Sequence, residues 1–200
     1  VTEPHRATQK ATSGSDPSSP IDRADQELLL AHIRDIPDWP EPGVVFKDIT
    51  PLLRDPAAFE TTTRLLAAVG STTGKDKTVD VVAGIEARGF ILGAPVAQFL
   101  GAGFVPIRKE GKLPSDTTSV SYELEYGQAT IEVHLDAFAS GERVLIVDDV
   151  LATGGTVRAT IDLVRAAGAT VVGVNVLLEL GFLHGRDRLP DVEIRALLTV

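Results

Sequence analysis

From Ile21 onward the chain alternates between short continuous apolar runs and longer stretches whose apolar residues recur every three or four positions. The first pattern suits buried strands and the second suits amphipathic helices. The stripe Ile21, Leu28, Leu29 and Ile33 predicts a short helix that ends before Pro37, because the residue ahead of a proline is pushed out of helical geometry. Pro40, Pro42 and Gly43 mark a loop, and Val44, Val45 and Phe46 predict a short strand after it. The amphipathic stretch from Pro56 to Val69 predicts a helix with proline in its first turn, where the missing N–H would have had no partner anyway. VDVVAGI at 79–85 reads as a buried strand, FILGAPVAQFL at 90–100 as a helix and FVPIRK as another strand. RVLIVDD at 143–149 is a strand ending in two acids, followed by a helix with Val157, Ile161 and Val164 on one face and a stop at Gly168. TVVGVNVLLEL at 170–180 predicts a further strand, with a weaker one near Val192 to Leu198.

The period changes between 119 and 138, where Val120, Tyr122, Leu124 and Tyr126 alternate with Ser121, Glu123 and Glu125, and Ile131, Val133 and Leu135 alternate likewise. That is the signature of two antiparallel strands, and Gly127-Gln128 predicts a tight turn between them. Elsewhere the strand and helix order implies an α/β fold, a mostly parallel sheet flanked by helices on both faces. Ligands in such sheets bind at the carboxyl ends of strands. Residues 1–20 hold one large aliphatic side chain, Val1, among Ser, Thr and Pro. Such a segment buries too little to offset its ordering, so a disordered tail is expected ahead of a single domain at 21–200.

Composition narrows the function classes. The 200 residues are 44% hydrophobic, which suits one domain with one sizeable core. A net charge of −9 makes nucleic acid and anionic lipid poor partners for the surface as a whole. The absence of cysteine excludes disulfides, thiolate metal sites and a cysteine nucleophile. No apolar run is long enough to span a membrane, and the first residues lack the apolar stretch of a signal peptide, so a cytoplasmic protein is expected.

The segment VLIVDDVLATGGT, Val144 to Thr156, carries the most chemistry. Ala152, Thr153, Gly154, Gly155 and Thr156 can wrap a phosphate with backbone N–H groups and two hydroxyls, where a helix dipole adds favourable potential. No lysine follows the glycines, so this is not a triphosphate loop of the Walker kind. Asp148 and Asp149 would repel that phosphate, and vicinal ribose hydroxyls are their natural partners. Carboxylates there accept both hydroxyl hydrogen bonds and stabilise positive charge building on a ribose ring. His32, His134 and His184 lack ligand spacing, so no protein-built metal site is expected.

The thirteen-residue segment resembles the phosphoribosyl pyrophosphate signature of type I phosphoribosyltransferases. PGVVFKDITPLL, IEARGF, IRKEGKLP, SYELEYG and ELGFLHGRDRL, in that order, are similar to segments of the adenine phosphoribosyltransferases, and the similarity covers roughly Ile36 to Leu189. The resemblance implies a small hood, a β-hairpin catalytic loop and a homodimer. It also implies a magnesium-dependent reaction in which adenine and phosphoribosyl pyrophosphate give AMP and pyrophosphate, with magnesium arriving on the pyrophosphate oxygens. Residue by residue, it implies adenine recognition around Val45, Phe46 and Lys47, with Leu180 completing the pocket. It implies pyrophosphate contacts at Ala87 and Arg88, with a non-proline cis peptide at Glu86-Ala87, and at the basic loop of Arg108, Lys109 and Lys112. It implies ribose binding by Asp148 and Asp149, Asp148 also being counted catalytic, and a mobile loop carrying Tyr126 and Glu125, the candidate for proton transfer.

Plainer readings exist for several of these residues. Leu180 alone suits a core position, Arg88 a surface helix, the basic loop a solvated cluster, and Glu125 the outward member of an alternating strand. Two other functions share the signature: transfer to hypoxanthine, guanine, xanthine or orotate, and a regulator that binds the same ligands without turnover. Segments 43–51 and 119–127 favour adenine, and the acidic balance disfavours a nucleic-acid-binding regulator.

Overall fold

The computed structural model describes residues 21–68, 79–123 and 127–200. Helix α1, Arg23–Ala31, starts where the Asp22 carboxylate accepts the Asp25 N–H, a side-chain cap of the first turn. Strands β1, Arg34–Pro37, and β2, Val45–Asp48, pair antiparallel with Ile36 opposite Phe46. They form a two-stranded unit separate from the main sheet, the hood expected from the resemblance. Helix α2 is a five-residue turn, Thr50–Arg54. Helix α3, Pro56–Ala67, has Pro56 in its first turn and the Asp55 side chain accepting the Ala58 N–H.

The main sheet contains β3, Val81–Ile85; β4, Gly103–Lys109; β5, Thr117–Glu123; β6, Gln128–His134; β7, Arg143–Leu151; β8, Thr170–Glu179; and β9, Ile194–Thr199. Their order is β5-β6-β4-β3-β7-β8-β9. Strands β4, β3, β7, β8 and β9 run parallel to their neighbours in that series, and the β5–β6 hairpin joins antiparallel at the β4 edge. Helix α4, Arg88–Leu100, follows β3, and α5, Gly155–Ala166, follows β7.

Side-chain alternation along the central strands produces two cores, one on each face of the sheet. On one face Ala83, Ile107, Ile146 and Val176 pack with Val157, Ile161 and Val164 of α5. On the other, Val82, Leu145, Val147 and Leu177 pack with Leu29, Leu52, Leu66, Leu92 and Val96 from α1 to α4.

Three expectations need adjustment. The register places Glu123 opposite Gln128, so Gln128 belongs to strand β6 and not to the turn, while residues 124–126 lie outside the described residues. The one sizeable core expected from composition is divided by the sheet into two, one on each face. Strand β7 continues past the two acids to Leu151, held by pairing of Leu151 with Glu179, so the loop proper starts at Ala152.

Candidate active site

The carboxyl ends of β3 and β7 and the amino ends of α4 and α5 meet at one place. Two close backbone approaches build it. A Cβ on Gly89 would stand 2.9 Å from Asp148 Oδ1 and from the Val147 carbonyl, so only glycine lets α4 begin against the end of β7. A Cβ on Gly185 would stand 2.2 Å from the Ala152 carbonyl, and one on Gly154 would stand 2.5 Å from the Gly185 carbonyl. The 152–154 turn therefore rests directly on the backbone of the 3₁₀ turn Gly185–Arg188. Gly154, at φ 81°, caps α5, and Thr153, Gly155 and Thr156 stand around that helix start, the place where a helix favours an anion. Leu180 lies next to the same turn, its N–H donating to the Leu151 carbonyl at 2.9 Å.

The two acids differ in setting. Asp149 is 4% exposed, and its backbone N–H donates to Asp148 Oδ1 at 2.9 Å. Burial, followed by repulsion from Asp149, pushes Asp148 well above the usual carboxylate range. Burial pushes Asp149 up too, opposed by the positive charge of Arg88. Arg88 Nε lies 2.9 Å from Asp149 Oδ2, yet that oxygen makes no aligned hydrogen bond within the protein. A buried acceptor left in this state suits a ligand hydroxyl.

Arg88 also reaches the hood. Its guanidinium carbon stands 4.9 Å from the centre of the Phe46 ring, within cation–π range. Phe46 in turn meets Trp39 edge-on, with ring centres 4.4 Å apart. Trp39, Phe46, Arg88, Asp149 and Asp148 thus form one connected series. Val45 is 50% exposed on the hood surface, and Lys47 donates to Asp35 at 2.8 Å.

The basic loop gathers around Glu86, whose peptide to Ala87 is cis. The Glu86 carboxylate accepts the Lys109 N–H at 2.9 Å and Arg108 Nε at 3.4 Å, and it pairs with Lys112 Nζ. Burial raises the Glu86 pKa, but hydrogen bonds from Lys112, Lys109 and Arg108 outweigh it and hold the group below its ordinary value.

The hairpin leans over the phosphate turn. Thr156 Oγ1 donates to Tyr122 Oη at 3.0 Å, and a Cβ on Gly155 would stand 3.3 Å from the Tyr122 ring and 3.5 Å from the Glu123 carbonyl. Glu125 and Tyr126 lie outside the described residues. Glu86, Tyr122, Trp39 and Gly185 were not anticipated as site residues. Glu86 and Gly185 fall inside IEARGF and ELGFLHGRDRL, so their segments carried the signal, but nothing in the one-dimensional pattern paired them with their contacts.

Comparison with known proteins agrees with this geometry. The model of the phosphoribosyl transferase domain family matches residues 49–195. An adenine phosphoribosyltransferase of Thermobifida fusca is 63% identical over 175 residues, covering 86% of this chain and 96% of that relative. The crystal structure of adenine phosphoribosyltransferase from Rhodothermus marinus superposes with a TM-score of 0.84 at 49% identity, covering 90% of this chain and 100% of that one. The Saccharomyces cerevisiae enzyme, solved with adenine and an imino-altritol bisphosphate, superposes at 0.79 with 35% identity, covering 88% and 99%.

Proposed function

Since this chain belongs to the type I phosphoribosyltransferases, and within them to the adenine phosphoribosyltransferases, we propose a division of labour among its residues. The enzyme transfers the 5-phosphoribosyl group from phosphoribosyl pyrophosphate to adenine, giving AMP and pyrophosphate, a reaction of purine salvage. The bond from the anomeric carbon to pyrophosphate breaks, a bond to adenine N9 forms, and the N9 proton leaves.

In this reading the 5-phosphate rests on the turn of Ala152, Thr153, Gly154, Gly155 and Thr156, and Asp148 and Asp149 hold the ribose hydroxyls. The observation that carries it is the acid pair directly beside that turn, Asp149 buried and Asp148 half-buried, with one Asp149 oxygen lacking an aligned partner. As the leaving group departs, positive charge grows on the ribose, and two carboxylates in a poorly solvated site stabilise it more than water could. Ala87, Arg88, Arg108, Lys109 and Lys112 take the pyrophosphate, Arg88 by a planar guanidinium suited to phosphate oxygens.

Arg88 over Phe46 connects that leaving-group site to the hood, where Val45, Phe46 and Lys47, with Leu180, form the adenine site. Glu125 serves proton transfer at the base and Tyr126 belongs to the same closing loop. The lean of Tyr122 and Glu123 over Gly155 and Thr156 supports a loop tip near the reacting atoms, and its closure would exclude water from the cationic ribose. Among the described residues no group of three or more His, Cys, Asp or Glu could hold a metal, while the oxygen-rich acid pair suits a hydrated ion carried by substrate. Magnesium bound to the pyrophosphate oxygens would offset the leaving group's charge. The reading includes a homodimer, which rests on the family resemblance, and a cytoplasmic location, which rests on the apolar pattern of the sequence, with residues 1–20 a tail outside the catalytic domain. Among the described residues no helix is long and apolar enough to cross a membrane.

Equilibrium binding tests the assignment of the acids. AMP and ribose 5-phosphate should each bind the wild-type protein and lose affinity at least tenfold in Asp149→Asn, about 1.4 kcal/mol or more. Equal affinity of both ligands for the two proteins would remove the role given to Asp149.

A further inference from the structure

Glu132 lies on β6, opposite Arg108 of β4 and Ser119 of β5, and is only 5% exposed. A carboxylate so placed needs hydrogen-bond donors to remain charged. It has them from an unusual source: Oε1 accepts the backbone N–H groups of Lys112 and Leu113 at 3.0 Å each. The Gly111 N–H acts on it as well, and Thr117 Oγ1 approaches Oε2 at 3.4 Å. Burial pushes its pKa up, but the donors of Leu113, Lys112, Gly111 and Thr117 outweigh burial and keep it below the ordinary value, so the group is anionic at neutral pH.

Two successive amides converging on one carboxylate oxygen form a concave nest, a shape that backbone adopts around negative charge. Here the protein fills the nest with its own side chain, and the loop that curls around it is the one that carries Arg108, Lys109 and Lys112. A fixed negative charge behind a site for a polyanion works against affinity, so a compensating geometric role is required. We propose that Glu132 is a positioning residue for the pyrophosphate site, anchoring the backbone of the 109–113 loop so that Arg108 and Lys112 stand where a diphosphate is received.

This inference rests on the placement of pyrophosphate at that loop. Glu86 grips the loop differently, since besides the Lys109 N–H it holds the side chains of Arg108 and Lys112, and in this reading it yields those two when a diphosphate takes its place. Glu132 holds main-chain amides, so its grip survives that exchange. Arg108 Nη1 donates to the Lys112 carbonyl at 3.2 Å, which carries the anchoring from the loop backbone to the Arg108 side chain. The Thr117 contact ties the same anchor to the base of the hairpin.

Two variants separate reach from charge in the full-length protein. Glu132→Asp keeps the charge and withdraws the oxygens from the nest by one methylene, whereas Glu132→Gln keeps the reach and drops the charge. Glu132→Asp should raise KM for phosphoribosyl pyrophosphate about tenfold and weaken binding of magnesium pyrophosphate, measured by calorimetry, by a similar factor, with KM for adenine changed less than about twofold. Glu132→Gln should stay within about threefold of wild type in all of these. A merely structural role would lower the melting temperature without separating the two KM values. An unchanged pyrophosphate affinity in Glu132→Asp, an equal rise in both KM values, or Glu132→Gln being the more damaged variant would overturn the proposal. If Glu132→Asp does not fold, Thr117→Val loosens the same carboxylate from the hairpin side. It should raise the same constant severalfold, and no rise would overturn the proposal. Wild-type protein that fails to bind magnesium pyrophosphate would instead overturn the placement of that ligand, and the role of Glu132 with it.

Discussion

Arg88 Nε stands 2.9 Å from Asp149 Oδ2 while its guanidinium covers the Phe46 ring. One side chain thus touches the residues assigned to ribose and to adenine, and itself belongs to the leaving-group site. Asp149 and Phe46 come from β7 and the hood, so the three substrate regions are coupled by a contact that no single segment contains.

Replacing Arg88 by lysine keeps the charge and loses the planar fork and the stacking surface. Arg88→Lys should lower kcat/KM for phosphoribosyl pyrophosphate by roughly 10- to 100-fold, about 1.4–2.8 kcal/mol of transition-state stabilisation. Steady-state kinetics decide it, and a value equal to wild type would remove Arg88 from the site.

Asp149→Ala should impair turnover more than tenfold while the protein still folds. The folded fraction is read by circular dichroism, so loss of activity can be separated from loss of structure. Full activity in this variant would end the role of the acid.

Asp148 offers a prediction in pH. Its folded pKa is raised above the ordinary 3.8 by burial and by Asp149. Between those two values the folded protein keeps a proton that the unfolded chain has released, so stability falls as pH rises through that window and stays lower above it. Asp148→Asn removes this penalty and should raise stability at neutral pH by roughly 0.5–2 kcal/mol while impairing catalysis. The gain should vanish at pH values below the ordinary carboxylate range. Thermal melts across pH check it, and a variant less stable than wild type at pH 7 would contradict it.

Gly185→Ala forces a methyl group against the Ala152 carbonyl, 2.2 Å from where its carbon would stand. The shift this demands should cost about 1–3 kcal/mol of stability and raise KM for phosphoribosyl pyrophosphate by displacing the phosphate turn. Unaltered binding would show that the turn does not depend on its seat.

Much of this was legible because burial leaves a pattern. The runs in β3, β7 and β8 and the stripe of α5 announce buried strands and a packed helix, but not that the sheet would divide the expected core into two. Strand β1 was not legible: Arg34, Asp35, Ile36 and Pro37 present one partly buried side chain, and the strand exists because β2 pairs with it. Helix α2 is too short to show a period. In the site, the phosphate turn could be read as contiguous chemistry. The grip of Glu86 on Lys112 and of Glu132 on the same loop could not, because each joins residues that only the sheet order brings together.

Removing residues 1–20 should leave activity within about twofold of the full chain, since the residues assigned to the reaction all lie at 45 and beyond. An assay of the truncated protein checks this, and loss of folding would make that segment part of the domain.

The most direct measurement is product formation from phosphoribosyl pyrophosphate and magnesium with adenine, hypoxanthine, guanine and orotate in parallel. The structure and its relatives predict AMP from adenine and no turnover of the other bases. Turnover of another base at a comparable rate would contradict the adenine site built around Phe46, and binding of phosphoribosyl pyrophosphate without turnover of any base would contradict the enzyme itself.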